Sequence, residues 1–116
     1  MRDEMKCFAI AATLIPIFAV GCGSYPAPTA RMATSEASVR AARELNADKD
    51  PQGALHMKLA QEEIDQAKAQ MADGDNKRAE FTLLRADADG ELAVALARES
   101  KAKSEAAKST EDLKKK

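Results

Sequence analysis

The chain has 116 residues, of which 45% are apolar and 3% aromatic, and its 18 basic and 19 acidic side chains leave a formal net charge of −1. This length allows one small domain at most, and the balanced charge together with the absence of Trp argues against nucleic-acid binding. The 25 alanines and the scarcity of aromatic residues suit helices and argue against an all-β fold.

The N-terminal residues have the pattern of a secretory signal. Two basic side chains precede an uncharged run from Cys7 to Gly21, which is shorter than the ~20 apolar residues that a membrane-spanning helix needs. An apolar run of this kind that ends in small residues is typical of a cleaved signal. A buried core helix is the alternative, but Pro16 interrupts it. We therefore expect residues 1–21 to be a signal peptide.

The end of this segment, Ala19-Val20-Gly21-Cys22, resembles the lipobox of bacterial lipoproteins, with Ala19 where Leu is usual. The resemblance implies cleavage between Gly21 and Cys22 and attachment of acyl chains such as palmitate to Cys22. Cys7 would leave with the signal, so an unmodified Cys22 would be a lone thiol in an oxidising compartment. Two or more acyl chains hold a protein firmly on a membrane. By the same resemblance, Gly23 favours the periplasmic face of the outer membrane.

A linker and a short helix are expected next. From Gly23 to about Ala33 the prolines and small polar residues predict a flexible linker, so that residues 22–33 comprise the lipidated cysteine and its tether. The first helix is predicted from Thr34 or Ser35, either of which can cap it, to about Asn46.

The second helix has clear signals at both ends. Asp50 can cap its first turn, and Pro51 follows at a position where the missing N–H does no harm. Gly74 follows Ala72 and Asp73 and can adopt the left-handed conformation that ends a helix, and Asp75 can cap the next helix. Gly74 and Asp75 therefore predict a tight helix corner.

The third helix is predicted from Asn76 to about Lys108 within a helical domain at 34–108, followed by a Lys-rich disordered tail at 109–116. Two apolar stripes follow this helix, and we expect them to lie side by side as one broad face that contacts both other helices. This predicts an all-α fold, either an antiparallel helical hairpin or a small three-helix bundle. The first stripe is Ala79, Leu83, Ala86, Gly90, Ala93 and Ala97, and the second is Phe81, Leu84, Ala88, Leu92 and Ala95. The candidate interaction face comprises Phe81, Leu84, Leu92 and Leu96.

Residue types that could support chemistry are few. His56 is the only histidine and is expected at a helix surface or edge, since one imidazole without a cysteine cluster cannot assemble a zinc site. The run Asp73-Gly74-Asp75-Asn76 lacks the spacing of a calcium loop, and carboxylates inside the third helix point to different faces. Neither a nucleophile elbow nor a phosphate loop is present. We expect no catalytic residues, metal or cofactor, and a protein that is not an enzyme.

From Met32 to about Glu99 the chain resembles the envelope lipoproteins called the domain of unknown function 4398 family. The resemblance rests on the run from Leu59-Ala60 to Met71-Ala72-Asp73-Gly74-Asp75, and on Ala79 followed by Arg85-Ala86-Asp87-Ala88 and Leu92-Ala93-Val94-Ala95. It implies Ala-rich helical hairpins behind a lipobox, some joined in other members to a peptidoglycan-binding domain that this chain lacks.

Two functions remain open from the sequence. The first is a non-catalytic interaction or structural module on the outer membrane, working through a protein partner or through self-association. The second is a spacer that joins the outer membrane to peptidoglycan through the lysines at 114–116. The tail from 101 to 116 carries six lysines against three acidic residues, whereas 22–100 carries ten basic and fourteen acidic side chains. A solvated tail is the simpler interpretation of this asymmetry.

Overall fold

The computed structural model of the chain describes residues 24–116, and the predicted signal peptide and Cys22 lie outside that range. Three α-helices and one 3-10 turn make up this part of the chain, which contains no strand, so the all-α prediction is confirmed. The elements are α1 (Thr29–Glu44), the 3-10 turn (Ala47–Lys49), α2 (Pro51–Ala72) and α3 (Asn76–Lys114).

Helix α1 begins at Thr29, so the prediction of a linker that extends to Ala33 is wrong. Pro28 occupies the position before the helix, and its carbonyl accepts the first helical hydrogen bond from Met32 N at 2.9 Å. Proline is disfavoured only in the interior of a helix. At the start of a helix the backbone N–H has no partner within the helix, so its absence costs nothing. The helix also ends at Glu44, two residues before the predicted end, and Asn46 then adopts the left-handed region at φ +58°.

The corner between α2 and α3 is built from local backbone chemistry. Asp50 caps the start of α2, where its carboxylate accepts a hydrogen bond from Gly53 N at 2.7 Å. At the other end Gly74 has φ +80°, and Asp75 N donates to Gln70 O at 2.9 Å. The Asp75 carboxylate then accepts from Arg78 N at 3.3 Å and caps α3. The two helices are therefore antiparallel neighbours.

Helix α1 packs against both members of this hairpin, parallel to α3 and antiparallel to α2. The core between the three helices is made mainly of alanine, and Ile64 and Leu83 are its largest fully buried apolar side chains. Small side chains allow helix axes to approach closely, so a thin core can still be well packed. Buried apolar residues of the hairpin and α1 are Val39, Ala42, Ala60, Ile64, Ala67, Ala79, Leu83, Ala86, Ala93 and Ala97.

Gly90 of α3 lies directly against Ser38 of α1. A Cβ atom at this position would lie 2.1 Å from Ser38 Oγ and 2.9 Å from Ser38 Cβ. Those distances are well inside van der Waals contact, so no side chain fits there without movement of Ser38. The space that a side chain at Gly90 would need is thus filled by Ser38 of α1.

The two apolar stripes of α3 lie on opposite sides of the helix, so the prediction that they adjoin is wrong. Residues two apart on an α-helix differ by about 200° in direction, so Phe81 points away from the core that Ala79 faces. Ala79, Leu83, Ala86 and Ala93 are fully buried, whereas Phe81 and Leu84 are exposed.

Helix α3 continues to Lys114, so the prediction of a disordered tail from 109 is also wrong. Every side chain from 98 to 114 is exposed, and we call this segment the overhang. Ala, Lys and Glu have high helix propensity, and pairs of Lys and Glu four residues apart add about 0.2–0.5 kcal/mol each. Such pairs join Glu99 to Lys103 at 2.6 Å and Glu111 to Lys115 at 2.7 Å. Local charge pairing therefore supports the overhang, none of whose side chains is buried.

Candidate interaction surface

An exposed apolar face runs along α3 on the side opposite the core. Phe81 is 59% exposed, Leu84 is 42% exposed and Leu92 is 41% exposed. Side chains of this size are mostly buried in soluble proteins, and several exposed ones in one line make this face a candidate interaction surface. We call this face the outer stripe, and its members are Phe81, Leu84, Ala88, Leu92 and Ala95.

Polar contacts with α1 fix the direction in which the outer stripe points. Arg31 forms ion pairs with Glu80 and with Asp87, and the longer of them measures 3.4 Å from Nη1 to Oδ2. Ser35 is fully buried and donates to the Asp87 carboxylate at 2.9 Å. Because Glu80 and Asp87 lie seven residues apart on one side of α3, these contacts hold the helix in one rotation.

Helix α2 makes three polar contacts with α3. His56 Nδ1 lies 2.7 Å from Asp89 Oδ1, and Arg85 Nε forms an ion pair with Glu63 Oε1 at 3.0 Å. Nearer the corner, the buried hydroxyl of Thr82 donates to the buried Gln70 Oε1 at 2.9 Å. His56 therefore lies at the edge of α2, where it contacts Asp89. The sequence did not reveal this partner, because the contact depends on how the two helices are rotated.

The Glu63 carboxylate is only partly compensated at this interface. Its Oε2 atom is buried and accepts no hydrogen bond from the described residues. Burial raises the pKa of Glu63, nearby Asp89 raises it further, and Arg85 opposes both effects. A carboxyl whose pKa is raised on folding favours the folded state most below its ordinary pKa of about 4.5, and this contribution is lost as the pH rises through the raised value.

Two leucines of α2 are also exposed, and they were not among the predicted interaction residues. Leu55 is 49% exposed and Leu59 is 36% exposed. Leu59 lies three residues from His56 and four from Glu63, so it shares a helix face with the two side chains that contact α3. The signal for them was an apolar pair four residues apart that lies off the buried face of α2, which Ala60, Ile64 and Ala67 form.

Leu96 does not belong to the outer stripe, although it was predicted in the same candidate face as Phe81, Leu84 and Leu92. It is partly buried at the open end of the hairpin, beside the start of α2. There it borders a shallow hollow of about 230 Å³, which is lined by Asp50, Gln52, Leu96, Glu99, Ser100 and Lys103. The structure thus places three of the four predicted face residues together.

The charge of the described chain is divided along α3. Residues 101–116 carry six lysines against Glu105, Glu111 and Asp112, a net charge of +3. Residues 24–100 carry ten basic and fourteen acidic side chains, a net charge of −4. The outer stripe lies within the acidic part, residues 24–100, and the basic overhang follows it along α3.

The segment before α1 is attached at the helix corner. Asn76 Nδ2 donates to the Tyr25 carbonyl at 2.9 Å, next to the predicted corner residues Gly74 and Asp75. At 1.5 Å per residue, α3 extends ~58 Å from this point to Lys114. The N-terminal segment and the lysines at 114–116 are thus at opposite ends of α3.

Neither a membrane-spanning helix nor a metal-binding cluster is found in the part of the chain that the structure describes. None of the helices between residues 24 and 116 combines the length and apolarity that crossing a bilayer requires. Over the same range, no three His, Cys, Asp or Glu side chains are grouped so that they could hold a metal ion. The predicted cleavage and lipidation residues, Gly21 and Cys22, precede this part of the chain.

Comparison with known proteins gives one match. A family model described as a domain of unknown function, DUF4398, matches residues 30–109. This range begins in the first turn of α1 and covers the hairpin and most of the overhang. No curated protein and no solved structure matches the chain.

Proposed function

The chain belongs to the DUF4398 family of domains of unknown function, and on that premise we propose that it is a lipid-anchored, non-catalytic interaction module of the cell envelope. In this proposal Cys22 carries the acyl chains that hold the protein on the periplasmic face of the outer membrane. The helices display the outer stripe to a protein partner or to a second copy. The function needs no cofactor and no nucleic acid.

The observation that carries this proposal is the exposed outer stripe of α3. Burying apolar side chains contributes about 25 cal/mol per Å², and binding surfaces are commonly built around such side chains. Phe81, Leu84 and Leu92 remain exposed although α3 has a second face that packs well. A module whose function is contact, and not catalysis, accounts for this division between a buried and an exposed face.

Support for the anchor comes from the sequence at 19–22 and from the position of Tyr25. The lipobox resemblance supplies a lipidated residue three positions before Tyr25, which is bonded to the start of α3. The six residues between Cys22 and α1, 23–28, span at most about 20 Å. The start of α1 and the corner would therefore lie close to the membrane. The outer stripe would then be presented within the periplasm.

Site-specific photo-crosslinking in intact cells tests this function. A photoreactive amino acid replaces Ala95 on the outer stripe or, as the matched control, Ala69 on the outward side of α2; both alanines are exposed. We expect discrete protein adducts from position 95 and none from position 69. Equal labelling from both positions, or no adduct from either, would contradict a role for the outer stripe.

A second candidate function is a spacer that joins the outer membrane to peptidoglycan. It is favoured by the placement of the tether at the corner and of Lys114 at the other end of a helix ~58 Å long. In this arrangement the lysines at 114–116 would reach the cell wall. Release of the protein from purified sacculi only after muramidase digestion would support the spacer, and release by detergent alone would exclude covalent attachment.

A further inference from the structure

The outer stripe continues beyond the hairpin into the overhang. Ala102 lies seven residues after Ala95, and Ala106 and Leu113 follow four and seven residues later, all of them exposed. Leu113 is 75% exposed. Apolar side chains that recur with a seven-residue period are typical of two helices that pack along their whole length. We call the outer stripe together with Ala102, Ala106 and Leu113 the outer seam.

Two polar side chains, Glu99 and Ser109, lie on the outer seam, and both are compatible with helix pairing. Ser109 is small, and Ser and Ala occupy similar volumes. Glu99 is paired with Lys103, whose ammonium lies 2.6 Å from the carboxylate and is exposed to solvent. A single charged position of this kind is common in paired helices, where it restricts the register in which they associate.

We propose that the outer seam is a self-association surface, on which α3 of a second copy lies antiparallel. This rests on the proposed function, because it assigns a specific partner to the outer stripe. The charge distribution selects both the partner and its direction. An antiparallel pair lays the overhang of each copy, with its net charge of +3, against the hairpin of the other, which belongs to a part with net charge −4. A parallel pair would instead place the two basic overhangs side by side.

The lengths of the two segments agree with this arrangement. The overhang, 98–114, is as long as the part of α3 from Phe81 to Ala97 that carries the outer stripe. When one segment covers the other, Phe81 lies opposite Leu113 of the second copy and Ala88 lies opposite Ala106. Leu92 then faces Ala102, and large side chains opposite small ones let two helices approach closely.

The arrangement also has a consequence for the membrane. In each copy the segment before α1 is hydrogen-bonded at the helix corner of its own chain. The two N-terminal segments therefore leave the antiparallel pair at opposite ends. Both anchors can reach one membrane only when the pair lies along its surface. The self-associated form therefore excludes an overhang that stands away from the membrane, as the spacer function requires.

Cysteine crosslinking of the full chain tests both the association and its direction. Ala88→Cys and Ala106→Cys are introduced together, and each is also made alone. Within one chain these positions are separated by ~27 Å of helix, so they cannot form an intramolecular disulfide. We expect the double variant to form a disulfide-linked dimer in the periplasm and each single variant to remain monomeric on non-reducing gels.

A second measurement uses the affinity of the purified full chain in detergent. We expect Leu92→Glu to weaken dimerisation at least tenfold in sedimentation equilibrium, and Ala69→Glu to leave it unchanged. Raised salt is expected to weaken dimerisation of the unaltered chain, because the basic overhang contributes to it.

Three results would overturn the inference. Dimers formed by the single Ala88→Cys or Ala106→Cys variants would show a parallel pair. A chain that stays monomeric at 100-fold above its concentration in the membrane, where the double variant also fails to crosslink, would show no self-association. If position 95 still labels a different protein in cells while no dimer forms, the proposed function stands and the self-association fails.

Discussion

Replacing Leu83 with alanine is expected to lower the free energy of unfolding by about 2–5 kcal/mol, whereas the same replacement at the adjacent Leu84 changes it by less than about 1 kcal/mol. Leu83 is fully buried between the helices, and Leu84 is 42% exposed on the outer stripe. Truncation of Leu83 leaves a cavity in a core with few large side chains to fill it. The two substitutions are chemically identical and both gain helix propensity, so their difference measures burial alone.

Urea unfolding followed by circular dichroism, at a concentration where the protein is monomeric, measures both changes. The expected difference corresponds to a large fraction of the stability of a domain this small. Equal losses at the two positions would mean that α3 is rotated differently, and the definition of the outer stripe would then be wrong. In the self-associated form Leu84→Ala is expected to weaken dimerisation while it leaves the monomer nearly unchanged.

The Gly90→Ala variant is expected to be less stable than the unaltered chain by up to about 2 kcal/mol, although alanine is the better helix former. In an exposed helix this replacement would stabilise by about 1 kcal/mol. Here the new Cβ would lie 2.1 Å from Ser38 Oγ and 2.9 Å from Ser38 Cβ, and overpacking of this kind costs about 1–3 kcal/mol. The steric cost is thus expected to exceed the gain in helix propensity.

A double-mutant cycle with Ser38→Ala separates the two effects. Removing the Ser38 hydroxyl eliminates the shorter contact and leaves the one at 2.9 Å, so the double variant is expected to recover part of the lost stability. The cycle is measured by thermal and urea unfolding of all four proteins. If Gly90→Ala raised the stability, α1 would not approach α3 as closely as described.

The local signals in the sequence predicted the hairpin well, because helix caps act within a few residues. Asp50, Pro51, Gly74 and Asp75 each perform their function through a backbone conformation or a hydrogen bond to a near neighbour. The local backbone conformation restricts which residue types can occupy these positions. The bounds of α2 therefore follow from the sequence without knowledge of the packing.

Three predictions were wrong because a local pattern was extended too far. Proline was treated as a barrier to α1, whereas Pro28 only marks its beginning. Helix α3 was expected to end near Lys108, although it continues to Lys114, where the pair of Glu111 with Lys115 supports it. The stripe that contains Phe81 was placed beside the buried one because its spacing was considered without its angular offset.

The contacts between helices could not be predicted from the sequence. His56 with Asp89 and Arg31 with Asp87 are pairs that depend on the rotation and height of packed helices. Many Lys, Arg, Asp and Glu side chains in this chain could form similar pairs. Only the arrangement of the core alanines decides which of them meet.

These observations describe a chain with two different helix faces and two different ends. The inner face of α3 packs against α1 and α2, while the outer stripe is exposed. At one end the tether is bonded at the corner, and at the other the overhang carries the basic residues. In the proposed function, the anchor determines where the outer stripe is displayed.

The most direct test of this account is the chemical state of Cys22 in the protein recovered from cells. Mass spectrometry of the mature N-terminal peptide, combined with labelled palmitate, is expected to show an acylated Cys22 as the first residue in the membrane fraction. Incorporation of label is expected to be lost in Cys22→Ala and retained in Leu92→Glu, which alters only the outer stripe. Recovery of the unaltered chain from the soluble periplasm with an unmodified Cys22 thiol would contradict the account.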